Sequence, residues 1–263
     1  MEDKTCHTSN PHCILGAKYA TGTGVEKDEV KAAECFRIAA NEGDAFAQFQ
    51  LGRCFHYGIG VSEDIEEAFR WYEKSAYNGN AAALVFLGKF YLEGEVVEED
   101  AKKAFELFLQ AAQQNYAKAI FLIGECYNFG LGTQQNKHAA CLAYEKAAEM
   151  GEKEAQFRYS QYLQEGFCID RDPSKAFHLC KLAAENGLPE AQFALGMYYF
   201  RGEVPKQDIR QAKEWWIKAS IQGHAEAIDN LQCLGVLPDE LSIEEIVETG
   251  VEYILLLKQR GII

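Results

Sequence analysis

The sequence predicts an all-α fold, a right-handed α/α superhelical solenoid of antiparallel helix pairs with a 36-residue repeat. Three observations carry this prediction. A Leu-Gly or Ile-Gly pair recurs in one frame at Leu15-Gly16, Leu51-Gly52, Leu87-Gly88, Ile123-Gly124 and Leu195-Gly196, and Tyr159-Ser160 fills the remaining slot. A glycine recurs at Gly22, Gly58, Gly94, Gly130, Gly166 and Gly202, followed six residues later by Asp28, Asp64, Asp100, Asn136, Asp172 and Asp208. Alanines at 32, 68, 104, 140, 176 and 212 keep the same register, and no insertion interrupts it from Leu15 to about Ala227. A fixed period of this kind marks stacked arrays, in which one unit cannot bury its own apolar face and the neighbours bury it together.

Each recurring position has a local task. The first glycine series can adopt positive φ and so end the first helix of each unit, helix A. The Asp or Asn that follows suits the N-cap of the second helix, helix B, where a short side chain accepts from orphan backbone N–H groups. Asp64-Ile-Glu-Glu67 also fits the spacing of a capping box. The Leu-Gly pairs and alanines are small or slim residues for close helix crossings. Aromatics at Phe36, Tyr72, Phe108, Tyr144 and Trp216 fill the space beside them. A second helix-ending position is held by Gly43, Gly79, Gly151, Gly187 and Gly223, with Asn115 standing in once; asparagine is the next residue to tolerate the left-handed conformation. Each helix should run about 12–14 residues, an ordinary length for a globular protein.

The predicted organisation is a flexible N-terminus over 1–8, six repeats over 9–224, and a partial seventh repeat with a C-terminal capping helix over 225–263. Beyond Pro238-Asp239, Ser242-Ile-Glu-Glu245 reads as a capping box opening an amphipathic helix that contains Ile243, Ile246, Val247 and Val251. Its two readings are a cap over the last open face, which arrays need, and a detachable partner-binding helix.

Composition narrows the function classes. The chain has 263 residues, 48 % of them hydrophobic, which is ample for a sizeable core. Twenty-six basic against forty acidic residues leave a net charge of −14. Such a surface repels phosphate backbones, so nucleic acid is not expected as a partner, and a basic or amphipathic protein segment is. The opening residues MEDKTCHTSN carry no basic and apolar pattern of a signal peptide. No run approaches the ~18 apolar residues of a membrane span. The nine cysteines scatter over the repeat frame, with only Cys54 and Cys126 sharing an offset, which speaks against a disulfide framework and for a reduced, cytoplasmic protein.

With the repeat in view, residues 45–80, AFAQFQLGRCFHYGIGVSEDIEEAFRWYEKSAYNGN, closely resemble the Sel-one-like repeat (SLR), a relative of the tetratricopeptide repeat. The matching positions are Ala47, Leu51-Gly52, Tyr57-Gly58, Gly60-Val61, Asp64, Ala68, Trp71-Tyr72, Ala76 and Gly79. Residues 189–224 match nearly as well through Leu195-Gly196, Tyr199, Gly202, Asp208, Ala212 and Trp215-Trp216. Residues 153–188 depart most, with Tyr159-Ser160 for Leu-Gly and Cys168 for the second turn glycine, and a kink or a bend around a ligand is expected there. The resemblance implies an adaptor that assembles protein complexes rather than an enzyme. Secreted bacterial relatives with one disulfide per repeat form a subset from which this cysteine pattern departs.

Candidate chemistry is sparse. Cys6-His7-x₄-His12-Cys13 is the one Cys/His cluster, but structural zinc sites use paired CxxC or HxxxH ligands, often from two elements, so no metal or other cofactor is assigned. Thr21-Gly-Thr-Gly24, Tyr57-Gly-Ile-Gly60 and Phe129-Gly-Leu-Gly132 follow no strand and lack the lysine of a phosphate loop, so they read as turns between helices. No catalytic residue is assigned. The informative signal is variation within the regular frame. On helix A, residues one turn from the Leu-Gly positions form a stripe that reads Gln50, Arg53, Tyr57, then Phe86, Lys89, Glu93, then Leu122, Glu125, Phe129, then Arg158, Gln161, Glu165, then Ala194, Met197, Arg201. Spacing at i, i+3 and i+7 puts each trio on one helix face. The resemblance implies that helix A lines the concave groove. The candidate partner-binding residues are therefore Arg53, Tyr57, Phe86, Lys89, Phe129, Arg158 and Arg201, aromatic and basic types that protein interfaces favour. The competing reading is that the aromatics pack between repeats and the arginines form internal ion pairs. The expected function is a non-catalytic scaffold, monomeric, that holds a partner segment in this groove. The alternatives are a metal- or thiol-dependent regulator and a secreted bacterial effector acting on host proteins.

Overall fold

The computed structural model describes residues 9–167, 169–202, 204 and 206–236, and these residues form thirteen α-helices and no strand. They are α1 (Pro11–Thr21), α2 (Glu29–Asn41), α3 (Ala45–Tyr57), α4 (Ile65–Tyr77), α5 (Ala81–Glu93), α6 (Ala101–Gln113), α7 (Ala117–Phe129), α8 (Lys137–Glu149), α9 (Lys153–Glu165), α10 (Pro173–Glu185), α11 (Pro189–Arg201), α12 (Ile209–Ser220) and α13 (Ala225–Cys233). Odd-numbered helices occupy the helix A positions and even-numbered ones the helix B positions. The segments 1–8 and 237–263, with the C-terminal helix read from Ser242, lie outside the described residues, as do Cys6, His7 and Cys168.

Both kinds of helix end where the spacing places them. Helix A closes on a left-handed glycine, as at Gly58 with φ 64° and Gly202 with φ 73°. At Asn115 the only non-glycine residue of positive φ among those described, at 57°, takes the helix B counterpart of that role. Helix B opens on the predicted caps. The carboxylates of Asp28, Asp64, Asp100, Asp172 and Asp208 each accept from the backbone N–H three residues on, at 2.9–3.0 Å. Such a cap stabilises a helix by about 1 kcal/mol.

The capping box at Asp64 is only half made. Glu67 donates its N–H to Asp64, but its own carboxylate pairs with Arg70 at 3.2 Å. The reason is that the Asp64 N–H already has a partner, the Phe55 carbonyl of helix A at 2.9 Å. The same tie recurs from Asp28 to Tyr19, Asp100 to Tyr91, Asp172 to Leu163 and Asp208 to Tyr199, and it fixes the turn within each helix pair.

Two compact units part between Ala143 and Tyr144, inside α8. The sequence frame runs through this point unbroken, so nothing in the repeat marks it. In the first unit the core gathers Tyr72, Leu87, Phe90, Phe108 and Cys126, and a second cluster around Phe36 and Leu51 backs α1 and α2. In the second unit one cluster holds Cys180, Leu195 and Trp215, and another holds Trp216, Leu231 and Val236.

In both units the helix A glycine lets the helix B ring approach. A Cβ on Gly16, Gly52, Gly88 or Gly196 would lie 2.8, 2.7, 2.3 or 2.4 Å from the nearest ring atom of Phe36, Tyr72, Phe108 or Trp216, respectively. These rings are the residues expected to fill that space. The fifth repeat departs at both positions, with Ser160 for the glycine and Cys180 for the ring, each buried. Its helices α9 and α10 nevertheless run thirteen residues each like their counterparts. A smaller side chain on helix B leaves room for the larger one on helix A.

Tyr159, in place of the leucine, is equally accommodated. Its hydroxyl donates to Glu145 at 2.5 Å, and Lys175 reaches both groups at 3.4 Å, linking α8, α9 and α10.

A buried glutamine supplies a further link that periodicity alone does not reveal. Gln48 donates from Nε2 to the Ala40 carbonyl at 3.1 Å and accepts from Asn78 at 2.8 Å. Gln192 repeats both bonds, to the Ala184 carbonyl at 3.2 Å and from Gln222 at 2.9 Å. Each relay joins the end of the preceding helix B, helix A and the end of its own helix B.

Candidate protein-docking face

In each unit the variable stripe occupies one side of its own odd-numbered helices, next to the buried Leu-Gly positions. In the first unit it runs through α3, α5 and α7. Tyr57, the last residue of α3, is 52 % exposed, and Phe129, at the same place on α7, is 58 % exposed. Arg53 and Lys89 are half-buried at equivalent positions of α3 and α5. Arg53 donates to Gln50 within the stripe at 3.2 Å, and the Lys89 ammonium lies 5.7 Å from the centre of the Phe86 ring.

Phe86 has a dual role. It is half-buried, with its ring 5.4 Å from Phe49, 5.0 Å from Tyr72 and 5.9 Å from His56. The packing reading therefore holds for this ring, whose face also carries Lys89. His56 and Tyr72 belong to the same cluster. Their places in the sequence gave no sign of this, because His56 is a single residue without a periodic partner and Tyr72 sits on helix B. The His56 ring lies tilted, its centre 4.4 Å from that of Tyr57 and 6.1 Å from that of Tyr72. Burial holds the His56 pKa below its ordinary value, against the opposing pull of Glu95, Glu93 and Glu63. Burial also pushes the Tyr72 hydroxyl far up, Tyr57 adding to the rise and Arg53 opposing it. That hydroxyl is buried without a hydrogen-bond partner.

In the second unit the stripe runs through α9 and α11. Arg158 is half-buried and donates to Gln161 at 3.4 Å, again within its own trio. Arg201 is exposed in the last turn of α11. Among the stripe candidates, Arg53, Tyr57, Phe86 and Lys89 form a group on α3 and α5, while Phe129, Arg158 and Arg201 stand on α7, α9 and α11.

Of the Cys6-His7-x₄-His12-Cys13 cluster, only His12 and Cys13 are among the described residues. Cys13 is fully buried in the core beside Phe36. Among the described residues no group of three or more His, Cys, Asp or Glu is placed to hold a metal ion. Burial pushes the thiols of Cys54 and Cys126 up to about 11 and that of Cys180 to about 12, the opposite of an activated nucleophile. None of the described helices is long and apolar enough to cross a membrane.

The architecture defines a class of helical repeat proteins, and the comparisons name it. The Sel1 repeat family matches six times, at residues 12–44, 45–80, 81–116, 117–152, 153–188 and 189–224. The chain belongs to the Sel1 repeat family. A Sel1 repeat protein from Oxalobacter formigenes is 30 % identical, with a TM-score of 0.74 over 82 % of this chain and 90 % of that one. A protective antigen of uropathogenic Escherichia coli displaying an SLR fold is 29 % identical, with a TM-score of 0.63 over 95 % of this chain; the chain spans 53 % of that protein's length. An immunity protein of Pseudomonas aeruginosa, 15 % identical with a TM-score of 0.58 over 82 % of each chain, shares the fold. No curated protein matches the sequence. Sel1 repeat proteins generally mediate protein–protein interaction, and their fold is typically a non-catalytic scaffold.

Proposed function

We propose that this protein is a non-catalytic adaptor that holds a segment of a partner protein against the stripe of its odd-numbered helices. The observation that carries the reading is the contrast within each helix A. The Leu, Gly and Ala positions beneath are nearly constant, while the half-buried and exposed positions above them change from Arg53 and Tyr57 to Lys89 and Glu93 to Glu125 and Phe129. Packing demands the first set and leaves the second free to be chosen for recognition. Exposed aromatics beside half-buried basic residues are the composition of binding hot spots. The residues proposed for contact are Arg53, Tyr57, Phe86, Lys89, Phe129, Arg158 and Arg201, and the protein performs no reaction of its own. Its buried, weakly acidic thiols suit the reducing cytoplasm, where we place it.

The test is affinity capture with the intact chain beside a variant carrying Tyr57→Ala, Arg53→Ala and Phe129→Ala, with circular dichroism confirming unchanged helicity. Loss of the captured protein from the folded variant supports the docking face. Equal recovery by both overturns it.

A further inference from the structure

The clustered part of the stripe holds two cations, Arg53 and Lys89, with Glu63, Glu93 and Glu95 nearby. The protein carries a net charge of −14, with forty acidic residues against twenty-six basic ones. Arg53 and Lys89 nonetheless make no ion pair. Arg53 has one hydrogen bond, to the neutral Gln50, and Lys89 has the face of Phe86. The exposed Lys31 and Arg70 pair with acids of their own helix or its cap, while the exposed Arg37 and Lys74 lie over the rings of Phe55 and Trp71. A half-buried cation has lost part of its hydration, so it gains more from a carboxylate than an exposed one does. Glu63, Glu93 and Glu95 are near enough to His56 to affect its acidity, yet they are exposed and form no ion pair with either cation.

The positions add a direction. Arg53 and Lys89 are the same place in successive repeats, so a chain laid across α3 and α5 passes both. Tyr57 beside Arg53 and the half-buried Phe86 beneath Lys89 give apolar surface on the same path. We propose that the Arg53–Lys89 face of α3 and α5 captures one acidic side chain, an Asp or Glu, in the middle of a partner segment, held between the two cations and flanked by a residue that packs on Tyr57. The acids at the rim repel further negative charge, so the preferred segment carries a single carboxylate with neutral or basic neighbours. The proposal rests on the reading of this face as the docking surface. It also replaces the expectation of a basic partner, which follows from the net charge of the chain rather than from the residues at the face.

The experiment selects a random peptide library displayed on phage against the intact chain and against two variants of checked helicity, Arg53→Ala with Lys89→Ala and Arg53→Glu with Lys89→Glu. Selected peptides are then resynthesised with both ends blocked. The expected result is enrichment of one central Asp or Glu, a loss of binding of tenfold or more on changing it to Gln or Asn or on the double alanine substitution, and a switch to Lys or Arg with the double glutamate variant. Basic peptides selected by the unaltered chain, or acidic ones indifferent to Arg53 and Lys89, overturn the proposal while leaving the adaptor reading in place. Peptides that bind only through a free terminal carboxylate overturn it in the same way. A chain that selects no peptide overturns both.

Discussion

A Cβ built on Gly88 would stand 2.3 Å from Cε1 of Phe108, a fully buried ring twenty residues further along the chain. Neither side can yield: the ring is enclosed and the glycine lies mid-helix. Replacing Gly88 with alanine is therefore expected to destabilise the fold by ~1–3 kcal/mol, the usual cost of overpacking, although alanine is the better helix former. Chemical denaturation of the variant measures this, and an unchanged midpoint would contradict it.

Ser160 and Cys180 show how the same space is shared differently. Cys180→Phe alone should clash with Ser160 and lower stability by ~1–3 kcal/mol. Combined with Ser160→Gly it should recover most of that loss, because the pair then reproduces Gly88 and Phe108. A double-mutant cycle reads the coupling directly, and additive effects would show that the two positions do not share a space.

Tyr72 offers the reverse case. Its hydroxyl is buried with no partner, a desolvation cost without a compensating bond. Tyr72→Phe keeps the ring against Gly52 and Phe86 and is expected to raise stability by ~1–3 kcal/mol. A lower melting temperature for this variant would mean that the hydroxyl is in fact satisfied.

The titrating groups give stability a window in pH. The thiols of Cys54, Cys126 and Cys180 are raised from 9.0 to about 11, 11 and 12 by burial. Below their unfolded value they are protonated in both states; above it the unfolded chain ionises first, so stability falls as pH rises from there to the folded values. His56 acts at the other end. Its folded pKa is depressed below 6.5, so stability is full above that value and falls as acid protonates the unfolded chain first. Denaturant midpoints at about pH 8 and about pH 10 should differ, and Cys180→Ala should reduce the difference. In iodoacetamide labelling of the native protein, the exposed Cys233 should react well before Cys180.

The fold was legible because its rules repeat. Asp64, Asp100 and Asp208 each cap a helix at the spacing the period sets, and Gly58 and Asn115 each bend the chain where only such residues can. What occurs once or twice was not. The relay through Gln48 returns complete at Gln192; Gln156 holds the same place with one longer bond, to the Ala148 carbonyl at 3.5 Å, while Leu84 and Ile120 interrupt the series, so the period shows it only in part. The spacing put each stripe trio on one helix face, but the depth of each residue was not visible. Phe86 and Phe129 look alike in sequence, yet Phe86 rests on Tyr72 and Phe49 while Phe129 is mostly in solvent. That depth depends on which ring the neighbouring repeat supplies beneath it. The charge at Arg53 and Lys89 was obscured for a related reason, since net charge sums over the whole chain and recognition does not.

Each glycine and the ring that fills its hollow are separated by twenty residues, from Gly16 and Phe36 to Gly196 and Trp216. A loop that short closes with little entropic penalty, so each of the four repeats that hold Gly16, Gly52, Gly88 and Gly196 carries its own rapidly formed nucleus. Refolding can then start in several places at once and spread to neighbours. Damage to one wedge should slow one seed and leave the others to initiate.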